Sequence, residues 1–245
     1  MDQEESYEKI KNMCAKSRYE HAQKKTDWLV DYLGTHIKTH YNNAEIFYSS
    51  QIDDCIAGQS PELRVKAQSA YERLKQDNQH YEIIRMCSFW DGVDYDSYSI
   101  PTIVAFAKNK EIDEMVYDRH FHDNDHKQPF YSPDYPVEKA KAAKKQIRAA
   151  IKDANKVSSS KILKNMRNLR HKLSHQIDST HAERKKNEDI PNPTYGCNIQ
   201  LLDKTIAILD DLHKSLNNSS FDWQNSKDIS QKNAKVLKSV SFPGA

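Results

Sequence analysis

Between its proline-rich breaks the chain sets apolar residues at helical intervals. Trp28, Leu29, Tyr32, Leu33, Ile37 and Tyr41 form a broad stripe that predicts a first long helix over roughly 7–48. Ser60-Pro61-Glu62 carries a serine cap and a first-turn proline, opening a second helix through Val65, Tyr71, Leu74, Tyr81 and Ile84 toward Trp90. The region of about 7–90 therefore reads as an antiparallel pair of long helices. Gly92 and a run of aspartates interrupt the pattern before a short helix near Ser99 and Pro101, and 117–136 reads as a long polar loop insertion.

Three more helices follow. Val137, Ala140, Ile147 and Ile151 mark one that is rich in alanine and lysine. Ile162, Met166, Leu169, Leu173 and Ile177, at steps of four, three, four and four, mark a helix over about 159–178, capped within Ser158 to Ser160. After a polar connection, Ile199, Leu202, Ile206, Leu209 and Leu212 define a last helix over about 197–216. The expected fold is all-α: one antiparallel helical bundle over 1–216, followed by a serine- and asparagine-rich tail over 217–245 whose order is left open.

Composition narrows the chemistry. The five glycines, Gly34, Gly58, Gly92, Gly196 and Gly244, never cluster, so no loop of the Walker or Rossmann kind is present to cradle a phosphate. Cys14, Cys55, Cys87 and Cys197 form no C-x-x-C pair, which argues against a zinc ribbon or redox motif and for a reduced, cytoplasmic chain. The sequence has neither the apolar centre of a signal peptide in MDQEESYEKIKNM nor an apolar run of membrane-spanning length. The net charge is only +2, yet 137–175 holds twelve Lys and Arg against Glu138 and Asp153, a local +10 that leaves −8 for the rest. Such asymmetry suggests a region facing a polyanion.

Two clusters invite a metal reading and give a weak case for it. Asp91, Asp94 and Asp96 suit turn chemistry better than ligation. His120, His122, Asp123, Asp125 and His126 match no established ligand spacing. No metal or other cofactor is expected. Tyr131 and Tyr135 are candidates for stacking on bases.

The helix at 159–178 carries the most specific signal. At about 100° per residue its apolar stripe covers about 80° of arc, which leaves Arg167, Arg170, His171, Ser174, His175 and Asp178 as its polar side. His171 and His175 stand at i and i+4, as in H-E-x-x-H, but Lys172 replaces the glutamate and the flanking cations repel a metal. Cleavage of RNA by its own 2′-hydroxyl needs only a base, an acid and a cation on the phosphoryl oxygens. Histidine and arginine are the suitable types. Arg170 and His175 lie roughly 140° apart around one helix, so a two-fold dimer would be needed to bring such pairs onto one phosphate. The competing reading makes them ordinary surface or packing residues.

The segment Leu169 to His175, LRHKLSH, resembles the R-x4-6-H motif of the HEPN superfamily, with His171 as the polar residue that follows the arginine there. The basic preceding helix, the DSYSIPTIV segment after a long helix pair, and the length are similar to the abortive-infection, AbiU-type branch, over roughly 19–216. The resemblance implies a dimeric helical bundle and a metal-independent endoribonuclease acting as a toxin or phage-defence effector, with RNA and a second copy as partners. It assigns catalysis to Arg170, His175 and His171, while RNA binding falls to Arg167, Lys164, Lys172 and Ser174. An antitoxin or other regulatory protein is a further expected partner. HEPN toxins silenced by nucleotide transfer resemble R-x4-H-x-Y; Ile177 stands at that tyrosine position, which speaks against this control. Alternatives are a non-catalytic module that binds RNA or nucleotide, and a protein-interaction bundle.

Overall fold

A computed structural model describes residues 2–47, 50–125, 132–193 and 195–241. Every regular element among them is a helix. In order these are α1 (Gln3–Lys11), α2 (Ala15–Phe47), α3 (Ser50–Ala57), α4 (Pro61–Ser88), α5 (Ile100–Ala107), α6 (Lys110–Asp125), α7 (Tyr135–Ser158), α8 (Lys161–His175), α9 (His181–Lys186), α10 (Tyr195–Asn217) and α11 (Trp223–Ser241). None is long and apolar enough to cross a membrane. The all-α expectation holds. The chain divides into two compact units, Met1–Asp31 with Met86–Phe221, and Tyr32–Arg85 with Asp222–Ala245.

In the first unit, α5 is almost wholly apolar, with Ile100, Ile103, Phe106 and Ala107 fully buried. Ser99 caps it by accepting from the Thr102 amide, and Pro101 occupies its first turn. On α7 the buried line runs Ala140, Ala143, Ile147, Ala150, Ala154 and Val157; small residues let neighbouring helices approach while lysines keep the outer face wet. Trp90 is fully buried and donates its indole N–H to Thr205 Oγ1 of α10 at 2.9 Å, which satisfies its one polar atom. That anchor fixes the loop at 90–94.

In the second unit, the long helices pair antiparallel as their sequence suggests: Tyr32 meets Arg85, His40 meets Glu82 and Phe47 meets Tyr71. The expected stripe on α4 is another matter. Tyr71 is buried, but Val65, Leu74, Tyr81 and Ile84 are 70%, 55%, 49% and 38% exposed. Tyr71 and Glu82 stand within about 20° on the wheel, so the inward side of α4 is set partly by a carboxylate that hydropathy assigns to water. Its cost is offset by His40 Nδ1 at 2.9 Å and Asn43 Nδ2 at 3.2 Å.

Three segments differ from their sequence reading. Asn12, Met13 and Cys14 separate α1 from α2 where one helix was expected. Residues 117–125, expected in a loop, continue α6, because its buried line mixes apolar with polar residues: Ile112, Asp113, Val116, His120 and Asn124. His120 Nε2 meets the Ser215 carbonyl at 2.9 Å, and Asn124 donates to the His120 carbonyl. The tail, whose order the sequence leaves open, carries α11.

Candidate functional site

The helix α8 starts at Ser160, whose hydroxyl accepts from the Leu163 amide at 3.3 Å, and ends at Gln176, which adopts a left-handed φ of 51°. Between them the chain is buried on two sides. Leu163 and Met166 are fully buried in the core, whereas Ile162, Leu169 and Leu173 are only half-buried. On the other side Asn168 is covered by the segment that folds back through α9. It donates to Glu183 Oε1 at 2.9 Å and accepts from the Thr180 hydroxyl at 2.7 Å. The stripe drawn from sequence therefore sits off the true core direction, because it omits Leu163.

Their partners divide residues that the sequence groups together. Lys164, His171, Ser174 and His175 are exposed and share an arc of about 100°. The His171 and His175 rings meet edge to face with centroids 4.4 Å apart. Arg167 and Arg170 instead turn toward the 90–94 loop. Arg167 is half-buried and donates to the Trp90 carbonyl; burial lowers its pKa from the usual arginine value. Arg170 donates from Nη1 to Asp91 Oδ1 at 2.5 Å, with its side chain 30% exposed. Both arginines border Cys87, a fully buried thiol whose pKa burial pushes up to about 11 despite these cations. It is held as an inert thiol.

Lys172 is engaged in the fold. Its ammonium sits 2.8 Å from Glu183 Oε1, and the Glu183 side chain is 2% exposed. The Lys172 hydrogen bond, reinforced by the Thr180 and Ile190 amides and by Asn168, holds this carboxyl down to about 2. Thr180 and Glu183 form a reciprocal capping box at the start of α9. Of the residues expected to bind RNA, Lys164 and Ser174 are open to solvent, while Arg167 and Lys172 are committed to Trp90 and Glu183.

Beside α8, the basic helix α7 uses some cations internally: Lys144 pairs with Glu114, Arg148 with Asp113 and Lys156 with Asp153. Lys141, Lys145, Arg148 and Lys152 are exposed at steps of four, three and four, a cationic ridge along one face. Asp94 takes the Asp96 amide at 2.9 Å, which is turn chemistry. Among the described residues no group of three His, Cys, Asp or Glu is placed to hold a metal ion. His126 and Tyr131 lie outside the described residues. Tyr135 stands under the Lys139 ammonium, 5.3 Å from its ring centroid, on α7 rather than in a loop.

Sequence reasoning missed Asp91 as the partner of Arg170. The two are 79 residues apart, and no local pattern links them. The capping box at Thr180 and Glu183 was legible as T-x-x-E, within a stretch read as a polar connection.

The AbiU2 model of the HEPN group matches residues 59–237, a span that includes α7, α8 and all residues of the site. No curated protein and no solved structure matches the chain.

Proposed function

We propose, on the premise that the chain belongs to the AbiU2 family of HEPN proteins, that it is a metal-independent endoribonuclease serving abortive infection or growth arrest, with a site composed at a homodimer interface. The observation that carries this reading is the outer end of α8: two exposed histidine rings 4.4 Å apart, one turn from an arginine anchored by a carboxylate. In the proposed reaction His175 removes the proton of the 2′-hydroxyl, which attacks the adjacent phosphorus and forms a 2′,3′-cyclic phosphate. The 5′ oxygen leaves with a proton taken from water, while Arg170 of the partner subunit holds the phosphoryl oxygens. His171 orients or assists.

Arg170 has five N–H donors, of which one serves Asp91. The remaining fork suits the equatorial phosphoryl oxygens as charge grows there. Lys164 and the ridge of Lys141, Lys145, Arg148 and Lys152 would hold the backbone by counterion release. Arg170 and His175 diverge by roughly 140°, which is why the proposal needs a second copy. Cytoplasmic RNA and a neutralising protein are the partners it implies.

A second reading has one observation in its favour. The Arg170 ion pair with Asp91 would also serve a bundle that binds RNA without cutting it. Incubating purified wild type and His175→Ala with total RNA in EDTA separates the two. Cleavage by the wild type alone, leaving 2′,3′-cyclic phosphate ends, supports the nuclease; RNA binding by both without cleavage supports the second reading.

A further inference from the structure

On the core side of α8, one turn below Arg170, lies a cavity of about 330 Å³ with Arg167 in its wall. It is bordered by α1, the 92–93 loop, α5, α7 and α8, all within the first unit. The size falls within the usual range of small-molecule sites, about 300–1,000 Å³. Its lining has a definite character. Arg167 and Lys108 supply two cations, Gln3 and Asn155 supply amides, and none of the described residues lining it is acidic. Pro101 and Val104 make an apolar wall, and the Tyr7 ring stands at its edge, 48% exposed. Gly92 belongs to this rim, where a Cβ would make ordinary contact with the Gln3 amide, 3.4 Å from its nitrogen.

Arg167 is the informative member. Burial lowers its pKa, which means that its charge is poorly solvated, and the Trp90 carbonyl is a neutral partner. Asp91, whose charge also acts on Arg167, is bound to Arg170. A half-buried guanidinium gains most from an anion that brings several acceptor oxygens. We infer that this cavity binds a phosphate monoester carried on a flat, weakly polar body, with the phosphate between Arg167 and Lys108 and the body against Pro101, Val104 and Tyr7. Two cations match a dianion better than the single charge of a phosphodiester, and the mixed lining favours a body over bare phosphate. Such a group could come from a free metabolite or from the 5′-phosphorylated end of an RNA. The site stands whether or not the protein cuts RNA.

Binding of phenyl phosphate, inorganic phosphate and phenol to the full chain, followed by calorimetry, tests this. Phenyl phosphate should bind at least about tenfold more tightly than either fragment, about 1.4 kcal/mol. Lys108→Glu reverses a charge on an exposed residue, and Asn155→Trp fills the space from an exposed position on α7. Each should weaken phenyl phosphate at least about tenfold with thermal unfolding unchanged. A short deoxyoligonucleotide with and without a 5′-phosphate separates the sources. Tenfold preference for the phosphorylated end, competed by phenyl phosphate, identifies a nucleic-acid terminus; equal affinity identifies a free small molecule. Absence of phenyl phosphate binding, or binding untouched by both variants in folded protein, would overturn the site.

Discussion

Arg170 and Asp91 meet at 2.5 Å across 79 residues of sequence, so the arginine of the R-x4-H motif is oriented by the loop that follows α4. The pair is partly open to water, at 30% and 44% side-chain exposure, and pairs of this kind are worth about 0–1 kcal/mol. Its consequence is therefore expected in function more than in stability. Asp91→Asn should leave the unfolding midpoint nearly unchanged. RNA should bind more tightly, because a carboxylate beside the phosphate site is gone, while kcat falls about tenfold to a hundredfold as the guanidinium loses its orientation. Steady-state kinetics beside a denaturation curve checks this: a loss of stability with unaltered kinetics would assign Asp91 to the fold alone.

Lys164 and Lys172 look equivalent in sequence and should behave differently. Lys172→Met removes the partner of the Glu183 carboxylate, so the urea midpoint should fall. Lys164→Met removes an exposed cation, so stability should hold while the salt dependence of RNA affinity becomes shallower by nearly one counterion. Urea melts and salt titrations of both variants discriminate the roles.

His36 gives the second unit a response to acid. It is fully buried, and burial, with Arg85 and His40 nearby, brings its pKa down from 6.5 to about 3. The unfolded chain takes up this proton near the ordinary value and the folded chain does not, so the stability it contributes is complete above about pH 6.5 and declines as pH falls toward 3. Between pH 6.5 and 5 the loss should approach about 2 kcal/mol from this group. His21 and His120, also lowered by burial, give the first unit a response of the same sign. Urea midpoints at pH 7 and pH 5 should differ less in His36→Leu than in the wild type.

Glu183 acts in a lower window. Its folded pKa of about 2 lies below the ordinary carboxyl value of 4.5, so its stabilising effect is present above pH 4.5 and is lost as pH falls toward 2. Glu183→Gln should flatten the stability profile below pH 4.5 and leave the range near pH 6 unchanged, as followed by helicity against pH.

The helices were legible where burial is apolar. Ser99 with Pro101 announced α5, and the alanine and isoleucine positions of α7 announced its inner face, because hydrophobic burial repeats with the helical period. Legibility failed where a polar side chain faces inward. Glu82 on α4, His120 on α6 and Asn168 on α8 are buried through hydrogen bonds to distant or folded-back segments, Asn124 donates within its own helix, and hydropathy places each of them outside. The candidate site shows the same division. Arg170, His171 and His175 were visible as a motif, but the engagement of Arg167 and Arg170, which leaves the histidines exposed beside them, depends on Trp90 and Asp91.

The most direct measurement mixes subunits. Arg170→Ala and His175→Ala proteins, each folded and each inactive alone, are co-refolded and assayed on RNA in EDTA beside the wild type. A composite metal-free site predicts that the mixture recovers a fraction of wild-type cleavage, with 2′,3′-cyclic phosphate ends, while neither parent cleaves. No cleavage by the mixture or by the wild type, or full activity in either single variant, would contradict the account.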